Sequence, residues 1–160
     1  MKHRLRWPAV LALLALLAPP ATIDRAAAQS NDADATAAAH AALSPAEWDA
    51  IQKTIGEQLA ALRAGDAARA YAFAAPGIRE RFQDAPTFMR MVQDSYAPLL
   101  DARYTEFLDG AVIDGRTIQP LRLVLADDTV LVALYEMQRD ETGRWRIAGC
   151  ALAPSTLRST

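Results

Sequence analysis

TVLVALYEMQRDETGRWRIAGCAL, residues 129–152, is the stretch that decides the fold. Two runs rich in β-branched, aliphatic and aromatic residues, 129–139 and 144–152, flank Asp140-Glu141-Thr142-Gly143. That polar segment is short enough for an antiparallel hairpin. Reading it as a four-residue loop pairs Arg139 with Arg144 and fixes the register, because strand side chains alternate between faces. Trp145, Ile147 and Gly149 then share a face with Val130, Val132, Leu134 and Glu136, while Leu131, Ala133, Tyr135 and Met137 share the other with Ala148, Cys150 and Leu152. Both faces are apolar along much of their length. A sheet covered by helices on one side only carries polar residues on the other. The second face is therefore expected to be buried by another copy of the sheet, with Leu131, Ala133, Tyr135, Met137 and Cys150 as the dimer face. Glu136 falls on the face turned towards the helices, which puts an acid at a pocket mouth or signals a register one residue off.

Working outward, the segments 103–108 and 117–125 also read as strands, with Asp109-Gly110 and Asp114-Gly115 as turn signals around a short Ala111-Val112-Ile113 segment. Upstream the periodicity becomes helical. Ser44-Pro45-Ala46-Glu47 supplies an N-cap hydroxyl, a proline at the first helical position and a capping-box glutamate. Trp48, Ile51, Ile55, Leu59 and Leu62 follow at three- and four-residue intervals, predicting a helix over 45–64 that stops at Gly65. A short helix over 66–74 is broken by Pro76-Gly77, 78–82 fits a helical turn, and a third helix starts at Asp84-Ala85-Pro86 and ends at Pro98. Helices first and strands after predict an α+β domain, with the helices packed on a curved antiparallel sheet of about four strands.

The start of the chain reads as an export signal. Lys2, Arg4 and Arg6 precede an apolar run over 9–18, too short to span a bilayer, and Ala26-Ala27-Ala28 before Gln29 is a cleavage pattern. The expected division is a signal peptide at 1–28, an Ala-rich linker at 29–43, one domain at 44–154 and a tail at 155–160, in a protein that is periplasmic or extracellular. Cleavage after Ala28 would remove Lys2, Arg4, Arg6, Arg25 and Asp24 from 17 basic and 19 acidic residues, leaving 13 and 18, about −5. That balance, without any Lys/Arg cluster, argues against nucleic acid or an anionic membrane as partner, and no later stretch is long enough to span a membrane. Cys150 is the only cysteine, so no internal disulfide is available. It reads as a small buried residue, with an intermolecular disulfide or a reactive thiol as the alternatives.

Three helices followed by a sheet ending in Gly143-Arg144-Trp145-Arg146-Ile147-Ala148-Gly149-Cys150 resemble the nuclear-transport-factor-2-like (cystatin-like) superfamily. More narrowly, the chain resembles an exported bacterial family known as domain of unknown function 4864. Gln58-Leu59-Ala60, Asp66-Ala67-Ala68, Tyr71, Ala75-Pro76-Gly77-Ile78, Phe88-Met89, Met91-Val92, Tyr96 and Tyr135 carry the rest of the likeness. The resemblance implies a cone in which helices close over a bent sheet and leave a pocket at the wide end, and it implies dimerisation through the outer sheet face. Isomerases, cyclases, dehydratases and plain binding modules share such a fold, so fold does not choose among them.

Catalytic groups are scarce. After the expected cleavage the one histidine is His40, in the linker, which removes Ser–His–Asp, Cys–His and multi-histidine zinc chemistry. Asp109, Asp114, Asp127, Asp128 and Asp140 sit in separate turns, where Asp is favoured for local hydrogen bonding; no cofactor or metal is expected. The pocket candidates are Gln58, Tyr71, Tyr96, Glu136 and Trp145. These residues suit a non-catalytic module that dimerises and holds a small apolar ligand. A cofactor-free isomerase or cyclase using a Tyr/Glu pair, and a cell-envelope protein–protein adaptor with a filled cone, are the alternatives.

Overall fold

The computed structural model describes residues 43–155. The expected signal at 1–28 with its Ala28/Gln29 cleavage site, the linker up to 42 and the tail beyond 155 lie outside the described residues. Five helices, α1 (Pro45–Arg63), α2 (Ala67–Ala72), α3 (Pro76–Phe82), α4 (Ala85–Ser95) and α5 (Ala97–Asp101), precede β1 (Tyr104–Phe107), β2 (Ala111–Ile113), β3 (Arg116–Val124), β4 (Val130–Arg139) and β5 (Trp145–Pro154). The fold is α+β, with a curved, unclosed antiparallel sheet.

Helix α1 begins with both halves of the capping box: Ser44 Oγ accepts the Glu47 N–H at 3.3 Å and Glu47 Oε2 accepts the Ser44 N–H at 2.8 Å. It ends before Gly65, whose φ of +72° gives the left-handed turn that a Cβ disfavours. Asp66 and Asp84 cap α2 and α4 through the N–H groups of Arg69 and Thr87. Pro76 and Pro98 break the preceding helices, as prolines should, but each also opens the next short helix, α3 and α5. The third helix therefore ends at Ser95 rather than at Pro98.

The sheet runs β1-β3-β4-β5, with β2 also paired to β3 and making the fifth strand. β1 and β2 form one broken edge along β3, and the break at Gly110 has a steric cause. A Cβ there would lie 2.3 Å from the Trp48 ring. Gln119, fully buried, closes the same gap by donating from Nε2 to the carbonyls of Leu108 at 2.6 Å and Pro120 at 3.0 Å. Pro120 itself sits in a central strand without penalty. Its carbonyl accepts the Leu108 N–H, so its missing N–H points to the interrupted side of the ladder.

The β4–β5 register differs from the four-residue-loop reading. Arg139 pairs with Trp145 and Met137 with Ile147, whereas Glu136 pairs with Gly149 and Tyr135 with Cys150. One extra residue, Ala148, forms a bulge. Before the bulge Trp145 and Ile147 face the helices; after it Cys150 and Leu152 do so as well. Leu131, Ala133, Tyr135 and Met137 join them on this inner face, where Ala133, Tyr135 and Met137 pack with Ile51, Ile55 and Leu59 of α1. They are core, not an outer dimer face: burying such side chains contributes about 1.5–3 kcal/mol apiece. Val130, Val132, Leu134 and Glu136 form the outer face with Ile118, Pro120, Arg122, Val124, Ala151 and Ala153. A second cluster, Leu62, Ala70, Phe88, Met89 and Val92, joins α1, α2 and α4, and Tyr96 packs against both clusters.

The β4–β5 turn is organised by Asp140, whose carboxylate accepts from Thr142 Oγ1 at 2.5 Å, the Arg144 N–H at 3.0 Å and Arg146 Nε at 2.8 Å. Those bonds, the Thr142 hydroxyl foremost, hold its pKa well below the usual carboxylate range. A depressed folded-state pKa adds stability above the unfolded value of about 3.9, and that stability is lost as pH falls towards the folded value. Asp140→Asn is therefore expected to lower Tm at about pH 7, with the deficit shrinking below about pH 4. A deficit constant from about pH 7 to about pH 2 in thermal melts would contradict this. Gly110→Ala, by forcing Trp48 aside, is expected to destabilise the domain by about 1–3 kcal/mol in urea unfolding; an unchanged midpoint would show that the indole has room to move.

Candidate functional site

Between the helical cluster and the sheet lies a cavity of about 540 Å³, within the size range of small-molecule sites. Helix α1 contributes Gln58 and Leu62, α3 contributes Ile78, Arg81 and Phe82, and α4 contributes Phe88, Met91 and Val92. Tyr96 and Leu99 add one end, and the sheet closes the cavity with Tyr135 and the bulged stretch Ile147 to Cys150. The stiffest wall is aromatic: Phe88 packs against Tyr71 at 5.5 Å and against Phe82 at 6.0 Å between ring centroids.

The polar groups on these walls are few. Gln58, on the buried side of α1, donates from Nε2 to the Ala70 carbonyl at 3.3 Å, and no donor among the described residues reaches its Oε1. Tyr96 Oη donates to the Cys150 carbonyl at 2.9 Å. Tyr135 is 1 % exposed and its hydroxyl has no partner among the described residues; burial pushes its pKa well above the ordinary phenol range, so the group stays protonated. Burial likewise pushes the Cys150 thiol up to about 12, leaving no thiolate near neutral pH. Arg81, exposed at the rim with its guanidinium 5.7 Å from the Phe82 ring, is the one charged side chain on the cavity wall among the described residues.

The structure brings Gln58 and Tyr96 to this cavity and places the other sequence-derived candidates elsewhere. Tyr71 stacks beneath Phe88 and donates to the Arg79 carbonyl at 2.6 Å, a bond internal to the helical layer. Trp145 lines a different, open groove of about 500 Å³ with Lys53, Phe73, Arg139 and Arg144. There Arg139 lies over its ring at 4.4 Å. Glu136 lies on the outer face of the sheet, where Arg116 Nε donates to its Oε1 at 2.8 Å and that bond lowers its pKa. The expected Tyr/Glu pairing with Glu136 is thus not formed among the described residues, because the shifted register turns Glu136 outward. Tyr135 and Cys150 take the opposite route, from expected dimer face to cavity wall. Sequence reasoning missed Tyr135 because the loop was counted one residue short, and Cys150 for want of a bulge signal; Gly149, which pairs with Glu136 beside the extra residue, was the available hint to the bulge. Phe82 and Arg81 carried no signal beyond helical periodicity.

Among the described residues no group of three or more His, Cys, Asp or Glu side chains could hold a metal ion. No described helix is long and apolar enough to cross a membrane. Neither the curated proteins nor the solved structures gave a match. The sequence profile of one family does match, over residues 44–160, which takes in every helix and strand above; the chain belongs to the family described as Domain of unknown function (DUF4864).

Proposed function

We propose that this is an exported, non-catalytic binding module of the cone-like, nuclear-transport-factor-2-like kind, which holds a small and largely apolar ligand between its helices and its sheet. The observation that carries this reading is the cavity itself. It is open, mostly apolar and within the size range of small-molecule sites. A cone filled by its own side chains would have supported the adaptor reading instead. An acid beside a tyrosine would have supported the isomerase or cyclase reading, yet among the described residues no Asp or Glu lines the cavity.

The second part of the proposal is a homodimer through the outer sheet face. The large apolar side chains that stand exposed among the described residues, Tyr104 at 53 %, Ile113 at 56 % and Leu134 at 38 %, all lie on that face. Its charges are balanced: Arg116 pairs with Glu136 and Arg122 with Glu106. A neutral, apolar surface of this kind can face its own copy across a two-fold axis without like-charge repulsion.

Protein purified from the cells that make it should show, in native mass spectrometry, an excess mass that is released on denaturation. A bare mass in every preparation, together with no saturable response to an apolar probe, would overturn ligand binding. Light scattering at micromolar concentration should give twice the chain mass, and Leu134→Arg should halve it. A wild-type monomer under those conditions would remove the dimer.

A further inference from the structure

The polar groups inside the cavity define the kind of head group it can take. Tyr135 offers a buried hydroxyl with no partner among the described residues. An unpaired buried donor is destabilising, and a phenylalanine would fill the same space without it. Gln58 offers the complementary group, an Oε1 that no protein donor reaches, on a side chain only 4 % exposed. Both residues are uncharged and both line the cavity. Among the described residues the one cation on the wall, Arg81, is exposed and sits by Phe82. Arg63, on α1, is exposed, donates to the Leu99 carbonyl at 3.2 Å and does not line the cavity. An anionic head group carried inside would lose its water, and the Arg63 charge, which acts on Tyr135 more weakly than burial does, would offset only part of a penalty well beyond one hydrogen bond. A neutral head group would gain two partners that the empty protein leaves unused.

We propose that the cavity selects an uncharged amphiphile: an apolar body with an alcohol, amide or protonated acid group that accepts from Tyr135 Oη, with Gln58 Oε1 as acceptor for its proton. This rests on the ligand-binding reading above and narrows it to a chemical class. The walls Leu62, Ile78, Phe88, Met91, Val92 and Ile147 take the apolar body.

The test uses three matched probes, naphthalene, 2-naphthol and 2-naphthoate, titrated into the full mature protein at neutral pH and followed by calorimetry or by the methyl NMR signals of Ile78 and Ile147. 2-Naphthol is expected to bind roughly 10-fold more tightly than naphthalene, about 1.4 kcal/mol, and 2-naphthoate more weakly than either. In Tyr135→Phe, which removes only an unpartnered hydroxyl, the naphthol advantage should vanish while naphthalene affinity is kept and the empty protein melts no lower than wild type. Equal binding of naphthol and naphthalene would overturn the head-group assignment and leave ligand binding standing. Tightest binding by 2-naphthoate would overturn it too, in favour of an anion taken at Arg81. A naphthol advantage that survives in Tyr135→Phe would remove Tyr135 from the assignment. Failure of all three probes to bind would defeat the cavity as a ligand site altogether.

Discussion

The backbone of Ile147 holds the two layers of this domain together. Its N–H donates to the Phe73 carbonyl at 3.0 Å and its carbonyl accepts from Ala75 at 2.8 Å, so the link between α2 and α3 is pinned to the edge of β5. On its other side Ile147 pairs with Met137, and the bulge at Ala148 follows at once. That sequence of events has two effects. Tying the helical link to the sheet edge fixes where α3 and α4 stand above β5. The bulge then lets Ile147 and Cys150, three positions apart, both face inward, which a regular strand with its period of two would forbid. The cavity wall is made of the residues that this irregularity turns inward, together with Ala148 and Gly149 between them.

The same irregularity explains where sequence reading succeeded and where it failed. Local signals were legible because they act over a turn or less: Ser44 and Glu47 announced α1, Gly65 its end, and the Asp114-Gly115 pair the β2–β3 hairpin, where both residues take positive φ. The β4–β5 face assignment depended on counting loop residues, and a single miscount inverts a strand. Asp140 to Arg144 close the turn as five residues, not four, since Arg139 pairs with Trp145. The miscount swapped Tyr135 and Glu136 between inside and outside, moving one candidate out of the cavity and bringing in another that had been assigned to the surface. Gln119 was illegible for a different reason. Its role, closing the gap left by Trp48 against Gly110, requires three segments far apart in sequence.

The inference that both sheet faces are apolar survives the correction, because it depends on composition and not on register. Inverting the faces exchanged one apolar set for another: Val130, Val132 and Leu134 now stand outside with Ile118 and Pro120. The ion pairs on that face do not substitute for a cover. Exposed pairs contribute about 0–1 kcal/mol each, and they lie beside the apolar patch without shielding it. The cost of leaving Tyr104, Ile113 and Leu134 in water is what favours a partner there.

Inside the cavity the physics runs the other way. General acid–base catalysis near neutral pH works best with a group whose pKa lies close to it. Tyr135 and Cys150 are held protonated by burial, Tyr96 is committed to a carbonyl, and Glu136 sits in an ion pair on the far side of the sheet. What remains is a donor and an acceptor without partners in an apolar enclosure. Such groups can orient a ligand and discriminate its head group, because a bound molecule that fails to satisfy them leaves them unpaired. The burial that raises the tyrosine pKa thus favours the recognition proposed above over proton transfer by that group.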